Sequence, residues 1–403
     1  MSLTSISAQT LAIDGGTPVR ERLLPYGRQS VEESDIQAVV EVLRSDWLTT
    51  GPKVAEFEEA FAARVGASHA VSFSSGTAAL HAAAFAAGLK PGDEAITTPL
   101  TFAATANCVL YQNATPVFAD VCTDTLNLDP DQVAGKISGK TRAILPVDYT
   151  GHPADLRPIA EIARRHNLVV IEDACHSLGA EYQDKRVGEI SDMTVFSFHP
   201  VKHITTGEGG MVVTNDAKFA ETLRRFRNHG ISSDARHRQS AGQWHYEMVM
   251  LGYNYRLPDV MCALGIEQLK RLDQNLARRR EIARRYMAAF RETPGVIPPV
   301  VRSEVDPAWH LYPIRLDLPR LAADRGQIFK ALRAENIGVN VHYIPVHFHP
   351  YYRERFGYRR GDFPVAEEAY ERLISLPMFH AMTDRDVEDV IQAVRKVVIH
   401  YQI

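Results

Sequence analysis

Cysteine is scarce in this chain, with four in 403 residues. Cys108, Cys122, Cys175 and Cys262 are scattered and form no CxxC pair, which argues against a disulfide framework or a thiolate zinc site. They fit buried small residues in a reducing cytoplasm. A basic excess is also missing: 45 lysines and arginines face 49 acidic residues, for a net charge of -4. The electrostatic footprint of a nucleic-acid binder is therefore absent. No apolar run approaches the roughly 20 residues of a membrane span. No GxGxxG follows an early strand and no GxxxxGKS/T occurs, which disfavours dinucleotide enzymes and P-loop NTPases. The start, MSLTSISAQTLAIDGG, lacks a basic stretch followed by an apolar core, so no secretion signal is expected. Neither repeats nor low-complexity tracts appear. What remains is 45% hydrophobic and 23% charged, the balance of a soluble globular protein with one large domain and a smaller one.

Between about residues 55 and 215, short β-rich runs alternate with helical patterns. EFEEAFAARVG (56–66) and TAALHAAAFAAGL (77–89) read as helices. EAITTP (94–99), TPVFAD (115–120), RAILPVD (142–148), LVVIED (168–173), TVFSF (194–198) and GMVVTND (210–216) read as strands. The pattern predicts an α/β fold with a mostly parallel central sheet covered on both faces. Ligands gather at the carboxyl ends of such strands, where Asp120, Asp148, Asp173 and the approach to Lys202 fall. A charged stretch over 265–290 reads as one long bridging helix, and its run Arg278 to Arg280 reads as a solvated face. Beyond it, WHLYPIRL (309–316) and GVNVHYIP (338–345) read as strands and DRGQIFKALRAENI (324–337) as a helix. Together they predict a smaller α+β domain. The expected division is an N-terminal segment (1–30), a large domain (31–270) and a small C-terminal domain (271–403).

SFHPVKHITTGEGG (197–210) sets one lysine between a strand and a glycine-rich turn. A lysine amine condenses with aldehydes, and the common aldehyde cofactor, pyridoxal phosphate, needs three things: a phosphate cradle, a carboxylate at its ring nitrogen, and the amine. In SFSSGTAAL (72–80), Ser75, Gly76 and Thr77 lead into an alanine-rich helix whose N-terminus would face an anion. A plain helix cap is the alternative reading there. Asp173 ends a buried-type strand in VVIEDACHSLGA; a turn or cap role is its alternative. Ser197 adds a hydroxyl, and GEGG allows close backbone approach. Each signal is weak alone; their order is what makes them specific.

Here the chain resembles the sugar aminotransferases of the DegT/DnrJ/EryC1/StrS family. The likeness runs from about residue 25 onward, through LTTGPKVAEFEEAF (48–61), SSGTAALHAA, TPLTFAATANCVL (98–110), EDACHSLGA (172–180), SFHPVKHITTGEGG and GYNYRLPDVMCALGIEQL (252–269). LPYGRQS (24–30), SDWLTTGP (45–52) and VHYIPVHFHPYYR (341–353) suggest the subgroup acting in pseudaminic acid synthesis. The resemblance implies the type I, aspartate-aminotransferase-like fold of pyridoxal-phosphate transferases. It implies that Lys202 carries the cofactor and shuttles the proton, that Asp173 pairs with the ring nitrogen, and that His176 sits by the phenolic oxygen. Phe102 would stack on the ring, while Ser75, Gly76, Thr77 and Ser197 would bind phosphate. Asn254, and with it Arg256, would reach the partner subunit's site, making a homodimer the active unit. Tyr26, Thr49, Thr50, Gly51, His342, Tyr343 and Pro345 match segments bordering a nucleotide-sugar pocket. Asp148 stands where many relatives have histidine, and its role stays open.

The implied reaction moves an amino group from L-glutamate to the 4-keto carbon of a nucleotide-linked 6-deoxy sugar, with the UDP-linked N-acetylated ketosugar of the pseudaminic pathway favoured. A dTDP- or GDP-linked ketosugar is the runner-up. A ketosugar dehydratase on this fold has histidine in place of the lysine, and here Lys202 is present. A sugar-sensing regulator would need an added DNA-binding module, for which the residues before LPYGRQS are too few. His342, His347 and His349 lack a fourth ligand and helical spacing, so no metal is expected.

Overall fold

The computed structural model describes residues 10–232, 242 and 244–403. The first nine residues, part of the stretch read as lacking a secretion signal, lie outside them. Among the described residues no helix is long and apolar enough to cross a membrane.

The centre is a seven-stranded sheet. Its first five strands in sequence are β1 (His69–Phe73), β2 (Glu94–Thr97), β3 (Thr115–Phe118), β4 (Thr141–Leu145) and β5 (Val169–Asp173). A small ribbon, β6 (Glu181–Tyr182) with β7 (Lys185–Arg186), precedes β8 (Met193–Ser197) and β9 (Gly210–Thr214). The spatial order is β1-β9-β8-β5-β4-β2-β3. Pairing is parallel from β8 through β3, while β9 runs antiparallel to both its neighbours. Strands such as VVIED and MTVFS are buried almost throughout, because helices cover both faces. The helix Gly76–Ala86 is alanine-rich along its buried length, which lets it lie close against β8 and β9.

Register explains why this sheet makes a site at one edge. Phe73 pairs with Gly210, and Gly210 with Ser197; a bridge joins Val147 to Asp173. The ends of β1, β8, β5 and the segment after β4 therefore line up, and the 198–209 loop starts and finishes there. That loop is closed by Phe198 N–H on Gly209 O and Thr206 N–H on Phe198 O.

A second core is built on a three-stranded antiparallel sheet of β10 (Val296–Ile297), β12 (Tyr312–Leu316) and β13 (Leu373–Leu376), while the short β11 (Val305–Asp306) pairs with β6. The helices Leu272–Arg291, Arg325–Ala334 and Asp384–His400 supply its apolar stripes. Leu11 and Leu24 belong to this second core too. The N-terminal stretch is held there by Glu335, which is fully buried and accepts from the N–H groups of Ala12 and Val19 while pairing with the buried Lys396. Lys396 also donates to Thr17 O.

Three expectations are corrected. The stretch 265–290 is two helices, Asp259–Lys270 and Leu272–Arg291, broken at Arg271, whose guanidinium is held by the buried Asp35 of a neighbouring helix. GVNVHYIP is not a strand: only Asn340 bridges to Ser375, because the chain then leaves the sheet so that Val346 N–H can meet Pro99 O. The arginine run is not one solvated face. Arg279 is 1% exposed and donates to the carbonyls of Trp309, His310 and Met378. Three main-chain acceptors replace the water it loses, and burial still lowers its pKa to about 10.

Candidate active site

The anion end of the site forms where β1 meets the helix Gly76–Ala86. Ser75 is the N-cap, its hydroxyl oxygen accepting from Ala78 N–H at 3.1 Å. The N–H groups of Gly76 and Thr77 have no acceptor within the helix, as at any helix start. A Cβ at Gly76 would come 3.0 Å from Ser197 Cβ, and one at Gly210 would come 2.5 Å from Ser75 O. Both glycines are needed for this close approach. The result is a backbone nest with the Ser197 hydroxyl beside it, at the positive end of a helix dipole.

Asp173 ends β5 and is almost fully buried. One carboxylate oxygen accepts from Thr105 Oγ1 at 2.7 Å, the other from Cys175 N–H at 3.2 Å. Thr105 is itself held by Thr101, 2.9 Å away on the preceding turn. Lys202 lies in the β8–β9 loop, its own N–H bonded to His199 O. Burial lowers the proton affinity of its amine; the neighbouring Cys175 and Asp173 partly offset this, and Arg279 adds to it.

Opposite these lies a rim of aromatic and polar groups. Tyr343 Oη and His176 Nε2 are 3.0 Å apart, and their rings stack with centroids 6.0 Å apart. His176 Nδ1 is buried with no partner. His342 Nδ1 lies 2.9 Å from Ser375 Oγ, its carbonyl accepts from the Tyr149 hydroxyl, and its ring meets Tyr26 at 5.3 Å. Burial, with Lys202 nearby, pushes His342 down to about 4 and His176 well below the ordinary imidazole value. Both rings are thus neutral at physiological pH. Phe102 keeps 60% of its surface bare, 6.0 Å from the Tyr343 ring. Pro345, buried, ends this segment.

Not every expected residue joins this group within one chain. Thr49, Thr50 and Gly51 lead into the helix Pro52–Val65, where Gly51 N–H is bonded to the buried Asp259 at 2.7 Å. No hydrogen bond or ring contact among the described residues ties them to Tyr26 or His342. Asn254 is exposed, in a loop fixed by the Ser74 N–H on Tyr255 O. Arg256 turns to Asn228 at 2.6 Å. His347 pairs instead with Glu367 at 3.0 Å, away from His342, and no group of three candidate metal ligands occurs among the described residues. Sequence reading passed over Thr105, Tyr149 and Ser375. Thr105 had a signal: with Thr101 it sits at i, i+4 inside TPLTFAATANCVL, beside Phe102.

The residues fit pyridoxal phosphate on the structure's own terms. Two glycines clear an anion nest, a buried carboxylate is braced by a hydroxyl and an N–H, burial lowers the proton affinity of an amine, and a bare aromatic face lies alongside. His176 Nδ1 is an orphaned buried atom that a ligand's oxygen could satisfy.

Comparison with known proteins agrees. Residues 29–395 match the model of the DegT/DnrJ/EryC1/StrS aminotransferase family. The spore coat polysaccharide biosynthesis protein SpsC of Bacillus subtilis is 46% identical over 381 residues, which is 94% of this chain and 98% of SpsC. The solved structure of Helicobacter pylori PseC, an aminotransferase involved in pseudaminic acid biosynthesis, superposes with a TM-score of 0.86 at 33% identity, covering 94% of this chain and 99% of PseC. Spr1654 of Streptococcus pneumoniae, solved with pyridoxal phosphate, gives a TM-score of 0.87 at 29% identity, covering 93% of this chain and 98% of that one.

Proposed function

Because the chain belongs to the DegT/DnrJ/EryC1/StrS aminotransferase family and is a pyridoxal-phosphate-dependent sugar aminotransferase, we propose which amino group it moves and where. The donor is L-glutamate. The acceptor is the 4-keto carbon of a nucleotide-linked 6-deoxy sugar, with the UDP-linked N-acetylated ketosugar of the pseudaminic pathway favoured. The observation that carries this reading is the pairing of a floor with one amine and one carboxyl group, Lys202 and Asp173, with a rim of neutral hydrogen-bonding groups: Tyr26, His176, His342 and Tyr343. Neutral donors and acceptors suit sugar hydroxyls, an amide and a ketone. The 33% identity to PseC supports the pathway. The higher identity to SpsC, 46%, supports a second reading, a ketosugar with another nucleotide or stereochemistry.

Bound pyridoxal phosphate supplies an aldehyde and a conjugated ring that takes up the electron pair of a breaking C–H bond. The chain's own residues do the rest. The N–H groups of Gly76 and Thr77, with the hydroxyls of Ser75 and Ser197, would hold the phosphate. Asp173, fixed by Thr105 and the Cys175 N–H, would keep the ring nitrogen protonated. His176, oriented by Tyr343, would meet the phenolic oxygen. Phe102 would pack on the ring and exclude water. Lys202, whose amine burial shifts toward its neutral form, would carry a proton from the donor carbon to the cofactor in one half-reaction and from the cofactor to the sugar carbon in the other.

The dispersed positions support a homodimer. Asn254 of one subunit would complete the cofactor end of the other's site, and Arg256 with Thr49 to Gly51 would border its substrate. Four unpaired cysteines suit the cytoplasm. Purified enzyme assayed with L-glutamate against UDP-, dTDP- and GDP-linked 4-ketosugars tests the substrate. The favoured reading expects the UDP-linked N-acetylated sugar to give the highest kcat/KM, and it fails if a dTDP- or GDP-linked sugar does.

A further inference from the structure

Asp148 and Glu172 are both fully buried, and they are neighbours that can share a hydrogen bond. Asp148 Oδ1 accepts from Ala154 N–H at 2.9 Å and Oδ2 from the Ser177 hydroxyl at 2.5 Å. Glu172 Oε2 accepts from Thr194 Oγ1 at 3.0 Å, but Glu172 Oε1 is buried without a partner. The groups facing the pair are the Asp173 carboxylate, the Cys175 thiol and the hydroxyls of Ser177, Ser191 and Thr194. No lysine, arginine or histidine forms an ion pair with either carboxyl among the described residues.

Two ionised carboxylates in this setting would be uncompensated buried charges, which proteins avoid by retaining a proton. We propose that Asp148 and Glu172 hold one proton between them, in a hydrogen bond ending on Glu172 Oε1, and that the pair positions His176 and Tyr343. The shared proton gives the orphaned oxygen its partner. Burial first, then mutual repulsion, raises the pKa of Asp148 well above the carboxylate range, and burial raises that of Glu172. The positioning follows from the chain. Ser177, which donates to Asp148, directly follows His176. Tyr149, which directly follows Asp148, donates its hydroxyl to His342 O, next to Tyr343. Asp148 N–H is bonded to Asp173 O at 3.1 Å, so the pair lies directly behind the floor of the site. The proton count is independent of the substrate assignment.

Infrared spectra of the carbon-13-carboxyl-labelled holoenzyme at neutral pH test the proton. A protonated-carboxyl C=O band should appear in the wild type and vanish in both Asp148→Asn and Glu172→Gln, where an amide N–H replaces the shared proton. Absence of the band from the wild type, or its survival in either variant, overturns the proposal; the wild-type spectrum decides even if a variant fails to fold. Linkage gives a second reading. In the unfolded chain both carboxyls are ionised above about pH 5, so folding takes up one proton. That contribution to stability is complete below the unfolded pKa and is lost as pH rises toward the folded one. Relative to either amide variant, the wild-type folding constant should fall about tenfold per pH unit in this window; equal slopes would sink the idea. Positioning is read separately from the nitrogen-15 resonances of His176. They should shift in Asp148→Ala and return in Asp148→Asn, and unchanged resonances in Asp148→Ala would remove the positioning role.

Discussion

The floor and the rim of this site are built differently. Asp173, Ser197 and Gly76 sit on strand ends and on a helix start whose register is fixed by the sheet, and Lys202 sits in the β8–β9 loop that starts and finishes at those ends. The rim comes from loops that leave the second core or cross to the large sheet: Tyr26 and the 342–345 segment meet the floor, whereas Thr49 to Gly51 and Asn254 do not reach it within the same chain. On the proposed reading, strand ends and the loop they anchor would hold the groups that act on the reacting carbons, while the outlying loops would choose the sugar. Damage to the floor should therefore lower kcat, and damage to the rim should raise KM.

Lys202→Ala is the hardest test of that division. Turnover should fall below about one part in a thousand, since both covalent attachment and proton transfer go with the amine. Substantial steady-state transamination by the folded variant would break it. Asp173→Asn should lower kcat at least about a hundredfold, the scale of losing one strong electrostatic stabiliser, with cofactor still bound. Near-normal kcat would mean another residue meets the ring nitrogen. Thr105→Val removes one hydrogen bond to Asp173, and a kcat about tenfold lower with unchanged KM is expected. A dominant KM effect would move Thr105 to the rim. Mixing Lys202→Ala with Asn254→Ala chains, provided each is nearly inactive as a homodimer, tests whether Asn254 serves the cofactor end of the neighbouring subunit's site. Random exchange makes about half heterodimers with one sound site each, so activity should return to roughly a quarter of wild type. No recovery after proven exchange removes Asn254 from the neighbour's site.

The smallest effect concerns protons. His342 titrates at about 4 in the folded chain and near 6.5 when unfolded, so the unfolded state binds more protons between those values and stability rises with pH across that window. His342→Gln should flatten the slope by up to one proton there and raise KM about threefold, leaving kcat nearly unchanged. A slope unaltered by the substitution would mean that the ring is charged in the folded protein.

The floor was legible because its residues obey local rules: a strand ending in Asp173, a serine and a glycine opening an alanine helix, a lysine before GEGG. The parallel sheet followed from apolar runs of strand length. What escaped was set by distant partners. GVNVHYIP alternates like a strand, yet the contacts of Val346 with Pro99 and Tyr343 with His176 decide its path. Arg279 shows a rule applied in the wrong order. Leu272, Leu276, Ile282, Ala283, Tyr286 and Phe290 mark a buried stripe at helical spacing, and position 279 falls on it, so periodicity outweighed charge. The rim was read from family likeness, since loops carry no period from which to infer a pocket.

The buried bond between Glu335 and Lys396 has a consequence for the order in which the chain matures on the ribosome. Lys396 also holds Thr17, 379 residues earlier in sequence. At roughly 5 to 20 residues per second, the stretch carrying Ala12 to Val19 waits on the order of 20 to 75 s for its lysine. Until then Glu335 lacks its cation, and the second core lacks the helix that closes it. Nascent chains arrested before Lys396 should leave that early stretch open to protease, and release of the complete chain should protect it; protection before Lys396 emerges would show that the early stretch docks without it.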